Sequence, residues 1–209
     1  MAKIAKMKGR DETAAVAALA AGRIVVMPTD TIYGIVGSAL CRTTVAEIYR
    51  LRKRNPKKPV IILVAAPEEV RHFGVRLDQR TKRLLRNMWP GKVSVVLPIA
   101  SGAAVVRKFA YLHRGANSLA FRVPRLAWLR ALLAKTGPLV APSANHEGKP
   151  PAATIHEAKR YFGKKVPLYV DAGRLASPPS TLVKIEKGKV AILRQGAARI
   201  RGAALGGTR

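Results

Sequence analysis

Runs of three to five mostly apolar, largely β-branched residues recur along the chain and alternate with segments whose apolar residues follow helical spacing. That alternation is the strongest constraint on the fold: the runs have strand length, and the helical segments between them supply apolar faces to cover a sheet, so the chain reads as mixed α/β. Strands are expected at Ile24–Met27, Val60–Val64, Val93–Leu97, Leu119–Val123, Leu139–Ala141, Leu168–Val170, Thr181–Ile185 and Val190–Leu193. The last two are joined through Glu186-Lys187-Gly188-Lys189, a hairpin-like turn. Helices are expected at Val45–Leu51, with Val45, Ile48, Tyr49 and Leu51 on one face, at Thr81–Met88, with Leu84, Leu85 and Met88 inward, at Leu126–Leu133 and at Ile155–Tyr161. Pro28–Gly34, Pro142–Pro151 and Ser177–Ser180 read as loops, each beside a short strand, where α/β proteins place ligands.

At 209 residues and 48% hydrophobic content the chain suffices for one core. We expect one domain over residues 1–197 and a basic, mobile tail over 198–209. Near the N-terminus Lys3, Lys6, Lys8 and Arg10 precede the apolar Ala14–Ala21, but Asp11 and Glu12 interrupt the join, so an amphipathic first helix ending at Gly22 is expected rather than a signal peptide. No run approaches the roughly 18 apolar residues of a membrane span. Cys41 has no cysteine partner, which fits a reducing compartment, the cytoplasm. The net charge of +28 exceeds what solubility requires and points to polyanionic partners or a basic proteome.

The densest charge lies in "RLRKRNPKKP", residues 50–59, with six cations in ten residues. It is either a solvated helix end favoured by the dipole or a phosphate grip. Familiar catalytic signatures are missing: Gly91-Lys92 is followed by Val93, and Arg86 stands at the first glycine of a P-loop, while the four histidines lack metal-ligand spacing. The 11 carboxylates are scattered and form no acid–base pair. What the residues do suit is phosphate chemistry, in which cations and small hydroxyl and amide donors hold charge in place. Arg52, Arg54 and Lys58 supply the cations, and Ser143 and Asn145 in "PSAN" supply the donors, although such residues also form ordinary turns.

"VVMPTDTIYGI" at 25–35, "WPGKVSVVLP" at 89–98, "LAFRVP" at 119–124, "VAPSANHEGKPPAAT" at 140–154, "PSTLVKI" at 179–185 and "AILRQGA" at 191–197 together resemble the YrdC/Sua5 family in its short, single-domain form. The resemblance implies a twisted mixed sheet with flanking helices and a basic concave face. It also implies an activity, the formation of threonylcarbamoyl-adenylate and pyrophosphate from L-threonine, bicarbonate and ATP. That intermediate feeds a tRNA threonylcarbamoyl transferase complex modifying adenosine 37, and Mg²⁺ is held mainly by the phosphates. Carried over by motif, Thr31, Arg122 and Ser180 face L-threonine. Tyr33, Arg52, Arg54, Lys58, Ser118, Ser143, Asn145 and Arg194 face ATP, with Arg52, Arg54, Ser143 and Asn145 forming the catalytic set and no side chain binding metal.

Departures from the family pattern are that Arg52 replaces the lysine of a Lys-x-Arg pair, Lys57-Lys58 replace an Asp-Asn, Leu63 stands where longer members carry histidine, and Pro179 replaces a glutamate. A second expectation, kept alive by the replaced lysine, is a non-catalytic double-stranded RNA or tRNA binder on the same fold. A relative handling carbamoyl phosphate, like the YrdC-like domain of the hydrogenase maturation protein, fits less well because its accompanying zinc-finger and acylphosphatase modules are missing.

Overall fold

The computed structural model describes residues 3–6, 10–100 and 102–200, with side chains from residue 12 onward. Ten strands form one mixed sheet: β1 (Lys3–Lys6), β2 (Val25–Pro28), β3 (Tyr33–Ser38), β4 (Ile61–Leu63), β5 (Val93–Pro98), β6 (Ser118–Arg122), β7 (Leu139–Val140), β8 (Leu168–Asp171), β9 (Thr181–Glu186) and β10 (Lys189–Arg194). Their order is β1-β8-β2-β3-β7-β4-β6-β5-β9-β10. Parallel pairs (β4 with β6, β5 with β9) alternate with antiparallel ones (β5 with β6, β4 with β7) through the centre.

Strand alternation divides the core between the two faces of the sheet. In β2, Val26 turns to one cluster while Val25 and Met27 turn to the other. The smaller cluster lies under α1 (Arg10–Ala20) and α6 (Ala127–Thr136), through Ala15, Leu19, Leu129, Leu132 and Leu133. The larger cluster takes Val45, Ile48, Tyr49 and Leu51 of α2 (Arg42–Leu51), the face expected from their spacing. It also packs against α3 (Gln79–Arg86), the short helices α4 (Ala103–Lys108) and α5 (Ala110–His113), and α7 (Ile155–Phe162). Side chains cap two of these helices: Asp78 accepts the Thr81 N–H at 2.6 Å, and Thr154 accepts that of Glu157 at 3.2 Å.

Several features differ from the sequence expectation, the edge strand β1 and a 3-10 helix at Pro67–Phe73 among them. β3 was hidden because Gly34 and Gly37 break its apolar run. Gly37 is required there, since a Cβ would collide with Thr44 Cγ2 and stand 3.2 Å from Ile48 Cδ1, where α2 presses on the strand. The residue 103–113 helices lack a periodic apolar face long enough to signal them. The chain expected to be mobile from residue 198 is packed at its start, where Ala198 accepts a hydrogen bond from Thr181 and Ala198 and Ile200 lie against the larger cluster; residues 201–209 lie outside the described residues. The hairpin of β9 and β10 forms as expected, with Lys187 and Gly188 at φ of 49° and 70°, the left-handed pair of a two-residue turn.

Candidate active site

Period-2 alternation also builds a cavity. Ser118, Ala120 and Arg122 point from one face of β6 while Leu119 and Phe121 point into the core. Val96 of β5 and Leu182 of β9 share that cavity face. The resulting cavity of about 340 Å³ is closed by the Thr29–Ile32 turn, the Pro142–Ser143 segment, Pro179 and Ser180, and the end of β10. Four arginines, Arg52, Arg54, Arg122 and Arg194, line it with no carboxylate among the lining residues, so its concave face is basic.

Arg52 arrives there through the end of α2. The N–H of Arg54 bonds the carbonyl of Tyr49 at 2.9 Å and that of Lys53 bonds Arg50 at 3.1 Å, closing the helix as a Schellman turn with Lys53 left-handed at φ 51°. This turn drives Lys53 outward, leaves Arg54 at the cavity and keeps Arg52 on the buried side, at 3% exposure. The Arg52 fork is spent largely on the "PSAN" loop. Nε donates to the carbonyls of Ser143 (2.8 Å) and Asn145 (3.1 Å), and Nη2 to Ser143 Oγ (3.0 Å) and Asn145 Oδ1 (3.2 Å). Nη1 is buried and has no partner. Burial, with the neighbouring Arg54 cation adding, brings the guanidinium down to about 10, still charged at neutral pH. The loop is held against β3 by Ile35 N–H to Pro142 O (3.0 Å) and Ala144 N–H to Tyr33 O (2.9 Å).

Arg54 donates through Nη2 to the Pro59 carbonyl (2.7 Å), and its guanidinium stands 5.8 Å from the Tyr49 ring centroid. Arg122, buried at the end of β6, is ion-paired with Asp30 at 3.1 Å and donates to Thr31 Oγ1 at 3.3 Å, while its Nε has no partner. Burial pushes its pKa down and Asp30 opposes that shift. Ser180 is 2.8 Å, hydroxyl to hydroxyl, from Ser94, and its carbonyl accepts from Arg194 Nη2 at 2.9 Å.

Thus Thr31, Arg52, Arg54, Ser118, Arg122, Ser143, Ser180 and Arg194, scattered in sequence, meet on one cavity. Three expected residues do not reach its lining. Lys58 pairs with Glu147 at 2.6 Å, at the loop rim. Asn145 spends its amide on the carbonyls of His146 and Lys149, at 2.7 and 2.6 Å, and acts through Arg52. Tyr33 turns into the core, its hydroxyl donating to Gly173 O (2.7 Å) and held by Asp171, and burial pushes it up to about 12. Sequence reasoning missed Asp30 and Ser94. Asp30 stands inside the PTDT motif, and Ser94 is the polar residue in an apolar strand. Both partners are distant in the chain, and only folding pairs them. Among the described residues no group of three or more His, Cys, Asp or Glu is placed to hold a metal, and no helix is long and apolar enough to cross a membrane.

Fold and cavity define a mixed-sheet α/β protein with an arginine-lined cavity. The chain belongs to the Sua5/YciO/YrdC family, whose model, described as telomere recombination, matches residues 17–196. It is 33% identical over 190 residues to a Mycobacterium leprae protein provisionally named threonylcarbamoyl-AMP synthase, covering 90% of this chain and 84% of that one. It is 32% identical over 160 residues to the Cellvibrio japonicus threonylcarbamoyl-AMP synthase, covering 75% and 82%. The Pyrococcus abyssi Sua5 crystal structure with L-threonine superposes with a TM-score of 0.80 at 26% identity, over 94% of this chain but 57% of that longer one.

Proposed function

We infer that the protein is a threonylcarbamoyl-AMP synthase, a nucleotidyltransferase that makes threonylcarbamoyl-AMP and pyrophosphate from L-threonine, bicarbonate and ATP in the cytoplasm, for the tRNA threonylcarbamoyl transferase complex. The observation that carries this reading is the cavity itself: four guanidinium groups and the Thr31, Ser118, Ser143 and Ser180 hydroxyls around a space with no lining carboxylate. That is a donor set for two anions, an amino-acid carboxylate and a polyphosphate.

In the reaction, bicarbonate takes up a proton and loses water to give CO₂, and the neutral threonine amine adds to its carbon and releases a proton to give a carbamate. A carbamate oxygen then attacks the α-phosphorus while the bond to the α–β bridging oxygen breaks and its electron pair leaves with pyrophosphate. The nucleophile is already anionic, so a carboxylate base is not needed for this step. Arg122, oriented by Asp30 and Thr31, suits the threonine carboxylate; Arg54, Arg194 and the free Nη1 of Arg52 suit the phosphates. Mg²⁺ enters as part of the Mg·ATP substrate, in keeping with a lining that offers no carboxylate ligand.

One observation favours the rival, a non-catalytic tRNA or double-stranded RNA binder: Arg52, at the family's lysine position, gives most of its donors to the loop. Pyrophosphate release from Mg·ATP separates the two. Release that requires both L-threonine and bicarbonate supports the synthase; no release from protein that still binds RNA, with an affinity falling steeply as salt rises, supports the rival.

A further inference from the structure

We propose that Ser94 is a positioning residue: its buried hydroxyl donates to Ser180 and thereby turns the Ser180 proton toward the cavity, making Ser180 an obligatory donor to an anionic oxygen of the amino-acid substrate. The proposal rests on the synthase reading for the identity of that substrate, L-threonine or its carbamate.

The argument is a proton count. Ser94 sits on β5 opposite Leu182 of the parallel β9, on the same strand face as Val96, one pleat deeper than the cavity lining. It is 0% exposed, and among the described residues its hydroxyl has Ser180 Oγ, at 2.8 Å, as hydrogen-bond partner. A hydroxyl carries one proton and two acceptor sites, and a buried proton without an acceptor is costly. If Ser180 donated to Ser94, the Ser94 proton would be stranded in the sheet. If Ser94 donates to Ser180, both protons are satisfied once a cavity ligand accepts the second. The second arrangement therefore wins, and Ser180 presents O–H to the cavity.

The remaining wall agrees in sign. Arg122 and Arg52 each hold an unpartnered buried N–H, and Arg194 fixes the Ser180 backbone through its carbonyl at 2.9 Å. The cavity that Ser180 lines thus carries unspent guanidinium donors and no lining carboxylate. These donors suit a carboxylate or carbamate oxygen, whereas the lining guanidinium groups disfavour a ligand ammonium. Ser94 does this without touching the ligand, and it separates from the structural role of a small buried residue because its effect must run through one oxygen atom.

The test is a double-mutant cycle on the full chain. L-threonine is titrated calorimetrically, with magnesium and a non-cleavable α,β-methylene ATP analogue present, into wild type, Ser94→Ala, Ser180→Ala and the double variant, with a thermal midpoint for each. Ser94→Ala should weaken L-threonine binding about three- to tenfold, the scale of one oriented hydrogen bond, and leave the analogue's own affinity within twofold, on the order of experimental scatter. In the Ser180→Ala background it should add nothing. Additive losses, equal losses for threonine and nucleotide, or no loss would each overturn the proposal. Should Ser94→Ala fail to fold, Ser94→Cys, a weaker donor of similar size, replaces it with a smaller loss expected. Wild type that binds no L-threonine overturns the synthase reading and this proposal together; wild type that binds it but shows additive variants overturns the proposal alone.

Discussion

Arg52 and Arg54 stand two residues apart and do different physical work. Arg52 satisfies two carbonyls, a hydroxyl and an amide oxygen of the Ser143–Asn145 loop from a buried position. Arg52→Ala should therefore cost about 3 kcal/mol of unfolding free energy, through orphaned acceptors, together with turnover, as read by urea denaturation and pyrophosphate release. Arg54 contacts carbonyls of its own loop at the cavity edge. Arg54→Ala should keep the unfolding midpoint and lower kcat/KM about 100-fold, the scale of removing one preorganised donor to developing charge; unchanged turnover would remove Arg54 from the phosphate grip. Asp30 is a third case. Asp30→Asn strands the buried Arg122 cation and should destabilise the protein by about 3–5 kcal/mol, with a raised KM for L-threonine.

At the scale of elements, the cavity depends on how closely α2 approaches β3, because that contact sets where the helix ends and where Arg52 enters. Thr44 fixes the helix start through its hydrogen bond to the Gly22 carbonyl at 2.8 Å, and Gly37 leaves the space into which Thr44 and Ile48 pack. Gly37→Ala should push α2 outward at a cost of about 1–3 kcal/mol from overpacking. Turnover should fall with it although residue 37 lies outside the cavity lining, and a stable, fully active Gly37→Ala protein would show that α2 tolerates displacement. The β9–β10 hairpin contributes Ser180 and Arg194 from its two ends, so its tight Lys187-Gly188 turn sets the register in which the arginine meets the serine carbonyl. That register includes a bulge between Ile192 and Arg194.

For the whole molecule, 39 cations face 11 carboxylates, and stability in acid follows from the sign of the carboxylate shifts. Glu147 is held below the usual range chiefly by its hydrogen bond from Lys58, Asp78 by the Thr81 N–H and Glu157 by the Ala153 N–H. Depressed folded values mean a contribution that is complete above the unfolded values and lost as pH falls through the folded ones. The thermal midpoint should stay level from neutral pH to about 5 and drop below about 4, more steeply at low salt as the net charge climbs beyond +28. At neutral pH added sodium chloride should raise the midpoint by screening like charges; a fall would mean that pairs such as Lys58–Glu147 outweigh the repulsion. The chain alone determined what is local: strand and helix periods, the hairpin turn, the inward face of α2, and the motifs whose order carries the family resemblance. Tertiary structure alone decided which charges matter. Of the six cations in "RLRKRNPKKP" only Arg52 and Arg54 line the cavity: Arg50 pairs with Glu47 on the helix, the left-handed turn at Lys53 carries that side chain outward, and Lys58 is taken by Glu147, 89 residues away. Asp30 with Arg122 and Ser94 with Ser180 are likewise pairs across the sheet, 92 and 86 positions apart by number, and no local pattern in the chain encodes a contact that only strand register creates.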